Sequence, residues 1–170
     1  DLRRARTLLL ELERLWSHLN DVSALCAGVG FAPGTMLFAG LKERAQRLNA
    51  RLAGHRFLFG TVAVGESGIE IGADEAAAAR EELRTLGEEV ARGLRELRFA
   101  GSLQARLGGV GAVGRDDVLR LGGTGPVARA AGVAADARSH APRLWYDGFA
   151  PVTAEGGAGD VAARLEVRAA

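Results

Sequence analysis

The sequence predicts a mainly α fold with short β segments, organised as one domain over residues 1–170. Three observations carry this reading. Apolar side chains recur at steps of three and four through three long stretches of the first 100 residues. A short run rich in β-branched and aromatic residues separates the second stretch from the third. Finally, 13 of the 24 glycines fall after residue 100 and cut the remainder into short pieces.

The first helix is expected from Asp1 to Ala27, with Leu8, Leu12, Leu15, Leu19, Val22 and Cys26 on one stripe. Leu9 and Trp16 widen that stripe, while Arg3, Arg4, Glu11, Arg14 and Asn20 lie off it. At 1.5 Å per residue such a helix runs to about 40 Å and needs a large partner surface. Gly28-Val29-Gly30 breaks it, and Pro33 suits the first turn of a second helix carrying Leu37, Leu41, Ala45, Leu48 and Leu52 and stopping at Gly54. The two form an antiparallel pair or one bent helix. Arg56 to Val64 reads as a strand ended by Gly65, and Ile69 to Ile71 as a second, with Gly68 and Gly72 at its sides.

Asp74 is expected to cap a third helix through Leu97, whose apolar set is Ala79, Leu83, Leu86, Val90, Leu94 and Leu97. Gly87 and Gly93 each cost that helix about 1 kcal/mol relative to Ala, so close packing is expected at both. Beyond Ser102 the elements shorten: a helical turn over Leu103 to Leu107, a glycine loop over 108–114, and a short helix from Arg115 to Leu121. Residues 122–132 read as loop with one helical turn, 144–152 as extended chain around Trp145, Tyr146 and Phe149, and Asp160 as the cap of a last helix with Val161, Leu165 and Arg168.

Composition bounds the function. An apolar fraction of 48% with 25% charged residues excludes a disordered chain. A net charge of +1, with both signs interleaved, gives no basic face for nucleic acid or a membrane surface. The single cysteine, Cys26, forms no internal disulfide, so a reducing compartment is expected. No apolar run reaches the roughly 18 residues needed to span a bilayer. The chain opens without Met and within a helical pattern, which suggests an excerpt of a longer protein.

Gly109, Gly111 and Gly114 satisfy G-x-G-x-x-G as a string, with Asp136 near the spacing of a ribose carboxylate. Dinucleotide binding also needs a strand feeding the turn, and Ser102 to Leu107 reads as helix, so a structural loop is expected. His18, His55 and His140 are scattered, and Cys26 lacks a Cys-x-x-Cys companion, so no metal site is assigned by spacing. His18 is expected in a hydrogen-bonded packing role and His55 as a partner of the last helical carbonyls or of the helix dipole. Ser17, Ser67 and Ser139 have no base at motif spacing. Arg129, Arg138 two residues after Asp136, and Arg164 four after Asp160 suggest Arg–Asp bridges tying loops to helices.

Taken together, several blocks are familiar. Leu12-Glu13-Arg14-Leu15-Trp16-Ser17-His18-Leu19-Asn20-Asp21, Leu41-Lys42-Glu43-Arg44 and Gly54-His55-Arg56-Phe57-Leu58 resemble the central part of the large subunit of membrane-bound (group 4) nickel-iron hydrogenases, the type found in formate hydrogenlyase. A close relative of that subunit type is the quinone-site subunit of respiratory complex I, the NADH-quinone oxidoreductase. The resemblance continues through Thr124-Gly125-Pro126-Val127-Ala128-Arg129-Ala130-Ala131-Gly132, Asp136-Ala137-Arg138, Pro142, Tyr146 and Gly159-Asp160-Val161-Ala162-Ala163-Arg164.

The resemblance implies a hydrogenase large-subunit-like helical domain packed against an iron-sulfur small subunit of a membrane-bound oxidoreductase complex. It implies electron transfer between iron-sulfur clusters and protons, at a nickel-iron centre, or quinone, in an NADH-quinone oxidoreductase. The cysteine pairs and the quinone-contacting His and Tyr belong to other parts of the family chain, so no catalytic or metal-ligating residue and no bound cofactor is expected here. Arg56, Arg129, Asp136 and Arg138 are the candidates for holding cofactor-facing loops. Two departures stand out, Gly65-Glu66 for a Gly-Gly pair and Ala131 for Ser in the Arg-Ala-Ser-Gly loop, and Leu58 stands where the complex I branch tends to have His. Together with the Gly54-His55-Arg56 and Thr124-Gly125-Pro126-Val127 blocks, the last leans toward the hydrogenase branch. The expected location is peripheral, on the cytoplasmic face of the cell membrane. The competing reading is a non-catalytic scaffold paralogue that keeps the fold for subunit assembly.

Overall fold

The computed structural model describes residues 2–67, 69–141, 143–146 and 156–170, and among these it forms eight α-helices and one two-stranded hairpin. The helices are α1 (Leu2–Gly28), α2 (Ala32–Ala53), α3 (Ala73–Phe99), α4 (Gly101–Leu107), α5 (Arg115–Leu121), α6 (Gly125–Ala130), α7 (Ala137–His140) and α8 (Val161–Ala169). The strands β1 (Val62–Ala63) and β2 (Glu66–Ser67) pair antiparallel, Val62 opposite Ser67 and Ala63 opposite Glu66. The fold is therefore mainly α with short β segments. Its backbone divides into two compact units, Asp1–Ala27 with Ala32–Arg95, and Gly28–Phe31 with Glu96–Ala170.

In the first unit, α1, α2 and α3 share one core. Leu12 of α1, Leu48 and Leu52 of α2 and Ala79 of α3 are buried together, with Leu8, Leu58, Ile71 and Leu83 packed against them. Contacts between α1 and α2 run in opposite senses along the chain: Ser23 Oγ donates to Thr35 O at 2.9 Å, Lys42 Nζ to Asn20 Oδ1 at 3.4 Å, and Leu12 meets the Leu48 and Leu52 end. The pair is thus antiparallel, settling the choice that the sequence leaves open. The same holds for α2 against α3, from Gly93 beside Phe38, through Arg44 with Glu89 at 2.6 Å, to Arg51 with Glu82. Each fully buried Leu or Phe on these seams contributes roughly 1.5–3 kcal/mol, far above the few tenths expected from an exposed ion pair.

The run 56–64 departs from the strand its composition suggests. Only Val62–Ala63 pairs, because Gly54, Leu58, Gly60 and Gly65 all take positive φ and fold the segment into successive turns. Leu58, at φ +61°, is the strained member, since a left-handed residue with a Cβ loses about 1–2 kcal/mol. Its side chain offsets part of this by packing on the core. The second strand is Glu66–Ser67, not Ile69 to Ile71; Ile69 is buried without strand pairing. Gly68 lies outside the described residues.

Helix α3 begins one residue before Asp74, so Asp74 sits in its first turn, favourable to the dipole, while Gly72 O accepts from Ala76 N. Of its two glycines, Gly93 is packed against Leu37 and Phe38, whereas Gly87 has open space where a Cβ would go. The expected close packing is found at Gly93 and not at Gly87.

The second unit is built from short pieces. Helix α6 packs on α8 and on α5, and α8 also meets α4. Val118, Ala128 and Ala131 form a core covered by Val113, Val133 and Ala135. From α3, Arg98 makes a bidentate pair with Glu166 of α8, at 2.7 and 3.0 Å. Pro142, Phe149 and most of the extended stretch expected over 144–152 lie outside the described residues.

Candidate functional site

Two polar constellations collect the four candidate residues, one in each unit. Arg56 stands alone of the four in the first. It follows the C-terminal turn of α2, where Gly54, at φ +74°, ends the helix and its N–H donates to Ala50 O at 2.9 Å. One face of α2 then holds the loop residue: the Arg56 guanidinium pairs with Glu43 and donates to Gln46 Oε1 at 2.9 Å, and Asn49 Nδ2 donates to Arg56 O at 3.3 Å. Glu43, Gln46 and Asn49 are spaced by three residues, so they line one helical stripe. Arg47, with Arg56 beside it, holds the Glu43 carboxyl below the usual carboxylate range.

The loop after Arg56 is aromatic. Phe57 meets Trp16 edge-on at 5.6 Å between centroids, and His55 stacks on Phe59 at 4.7 Å. His55 Nδ1 accepts from Phe57 N at 3.1 Å and from Phe59 N at 3.3 Å. The imidazole therefore serves the turn amides rather than the helical carbonyls that the sequence suggests.

Arg129, Asp136 and Arg138 come together in the second unit. Arg129 lies in the last turn of α6 and Asp136 caps α7, accepting from Arg138 N at 3.0 Å. The same carboxylate accepts from Arg129 Nη1 at 2.7 Å and from Arg138 Nη2 at 2.8 Å and Nε at 3.1 Å. Chiefly through the Arg138 hydrogen bond, against the opposing effect of burial, the Asp136 carboxyl is pulled down to about 2. A carboxylate so held stays ionised at any physiological pH. Two guanidiniums on one buried carboxylate make a rigid clamp.

That clamp fixes backbone. Arg129 O accepts from Gly132 N at 3.0 Å and from Gly156 N at 2.8 Å, and Arg115 donates to Gly132 O. His140 Nδ1 donates to Asp136 O at 2.9 Å. Arg164, expected to pair with Asp160, instead donates to the carbonyls of Gly111 and Gly159.

Asp160 has a larger part than a helix cap. Its Oδ1 accepts from Ala163 N at 2.8 Å, closing the start of α8, and its Oδ2 accepts from Gly109 N at 2.8 Å. Val113 N donates to Gly159 O and Val161 N to Val110 O, so the glycine loop is stitched to the start of α8. The loop follows helix α4, not a strand, and the Gly109 amide is taken by Asp160, which leaves no dinucleotide cradle of the expected kind.

Sequence reasoning misses Glu43, Gln46 and Asn49 as the support of Arg56, and Asp160 as the anchor of Gly109. The i, i+3, i+6 polar stripe within an apolar helix is the readable signal for the first. For the second no sequence signal exists, since the partners are 51 residues apart.

Among the described residues, no three of His, Cys, Asp and Glu gather as metal ligands. Cys26 is buried on α1, and burial pushes its thiol up, away from the thiolate a soft metal requires. A four-thiolate nickel-iron centre does not fit these residues. No helix among them is long and apolar enough to cross a membrane.

Comparison with known proteins agrees with this architecture. Formate hydrogenlyase subunit 5 of Escherichia coli (strain K12) is 30% identical over 164 residues, which cover 96% of this chain and 29% of that protein. The C/D component of an NADH-quinone oxidoreductase from Phocaeicola vulgatus is 32% identical over 145 residues, covering 83% of this chain and 27% of that protein. A chain in the structure of the membrane-bound sulfane sulfur reductase, an archaeal respiratory membrane complex, superposes with a TM-score of 0.89 at 28% identity, over 99% of this chain and 46% of that one. The chain thus spans under a third of the length of either of these two sequence relatives. The family described as respiratory-chain NADH dehydrogenase, 49 Kd subunit, matches residues 29–170, and the chain belongs to that family.

Proposed function

We propose that this chain is the central part of the large subunit of a membrane-associated redox complex, of hydrogenase or NADH-quinone oxidoreductase type. In it, electrons pass between iron-sulfur clusters of a partner small subunit and protons or quinone. The observation that carries this reading is the match over most of the chain to subunits of both kinds of complex.

The chain's own contribution is positional. Arg129, Asp136 and Arg138 lock the α6 and α7 turns, and Arg56 is locked onto α2, so each holds a loop in one conformation. Buried ion pairs are costly to desolvate, and this cost is better explained by fixing geometry than by stability alone. The reacting groups, a nickel-iron centre or a quinone, are supplied by other parts of the complex. The subunit docks peripherally on the cytoplasmic face of the membrane, through its partner subunits.

The second reading is a non-catalytic scaffold paralogue that keeps the fold for subunit assembly. The complex carrying this chain, purified from membranes through a tag, separates the cases. Nickel with hydrogen evolution from reduced viologen marks the hydrogenase type, and quinone reduction without nickel the other. A stable complex with neither activity marks the scaffold.

A further inference from the structure

The loop that carries Arg56 turns on the imidazole of His55. Its Nδ1 accepts two backbone amides, Phe57 N at 3.1 Å and Phe59 N at 3.3 Å, so that nitrogen carries no proton and the ring proton sits on Nε2. The ring face is covered by Phe59, at 4.7 Å and 21°. Between the two amides lies Leu58, the left-handed residue at φ +61°. Its amide donates back to His55 O at 3.0 Å, and its carbonyl accepts from Thr61 Oγ1 at 2.6 Å. A strained residue thus persists inside a turn pinned on both sides to one titratable ring.

We propose that His55 is a proton-operated catch on the 54–60 loop. Adding a solvent proton to Nδ1 converts the acceptor into a donor facing two further donors, so both hydrogen bonds are lost in one step. With them goes the part of the support of the left-handed Leu58 that its two neighbouring amides supply, and the loop leaves its present turn. Charged groups on the neighbouring elements are engaged elsewhere: Arg56 and Arg47 with Glu43, Arg51 on α2 with Glu82 on α3, and Arg14 with Glu11 on α1. Among the described residues, no carboxylate forms an ion pair with His55. The catch follows from loop geometry alone and is independent of the redox reading. If that reading also holds, the catch ties the placement of Arg56 to proton supply.

The test is a pH series of amide spectra on the full chain. In the wild type, the Phe57 and Phe59 amide signals should shift together, with the midpoint of the His55 ring, and their exchange protection should fall roughly tenfold or more on the acid side. His55→Asn places a non-titrating Oδ1 where Nδ1 stands. That variant should keep both amides protected and remove the pH dependence. Wild-type amides that stay unchanged while the ring titrates would overturn the proposal. So would the same midpoint persisting in His55→Asn. Should that variant not fold, the wild-type series alone decides.

Discussion

Arg129 Nη1 lies 2.7 Å from Asp136 Oδ2, and both side chains are only 7% exposed. Arg138 shares the same carboxylate from its own backbone and side chain. Removing the shared anion leaves two guanidiniums facing each other out of water. Asp136→Ala is therefore expected to lose about 3–5 kcal/mol of unfolding free energy in urea. A loss under about 1 kcal/mol, the range of an exposed pair, would show that the clamp contributes little.

Acid tests the same carboxylate. Its folded value of about 2 lies below the ordinary 3.8, so its stabilisation is complete above about pH 4 and is lost as pH falls toward 2. The expected contribution is on the order of 2 kcal/mol. Thermal melts between pH 5 and 2 should show this slope in the wild type and a flatter one in Asp136→Asn.

The two glycines of α3 make a paired prediction. Gly87 has open space at its Cβ position, so Gly87→Ala should stabilise by up to about 1 kcal/mol through helix propensity. At Gly93 a Cβ would come within 2.8 Å of Leu37 Cδ2 and 3.2 Å of the fully buried Phe38 ring. Gly93→Ala should destabilise, by about 1–3 kcal/mol of overpacking less the propensity gain. Denaturant midpoints of the two variants on either side of the wild type are the expected outcome.

The glycine loop predicts an absence of binding. Gly159, at φ +64°, lets the start of α8 press against Val113 O, where an added Cβ would collide. Gly159→Ala should open the loop and cost about 2 kcal/mol or more, whereas Gly157→Ala, with open space around it, should be close to neutral. Since the Gly109 amide is already taken by Asp160, calorimetry with NADH should register no heat. Micromolar binding would contradict the structural reading of the loop.

Much of this is legible from spacing. The three long helices announce themselves because side chains such as Leu12, Leu48 and Ala79 must face one core, and Asp160 is recognisable as a cap by its place before an apolar turn. The 56–64 run misleads because β-branched and aromatic composition is shared by strands and by aromatic turns. What decides is the left-handed backbone at Leu58 and Gly60, invisible to composition. Helix α7 is too short to show a period. The pairing of Arg129 and Arg138 with Asp136 is foreseeable from charge and spacing, but the diversion of Arg164 to carbonyls is not.

The central claim is that this chain belongs physically to an iron-sulfur redox complex at a membrane. Solubilised membranes carrying a tagged copy, purified through the tag and assayed for iron and acid-labile sulfide, test it directly. The account predicts a multi-subunit complex in which an iron-sulfur partner accompanies the tagged chain in equal amount, with cluster signals on reduction. Recovery of the tagged chain alone, free of iron and sulfide and absent from the membrane fraction, would contradict it.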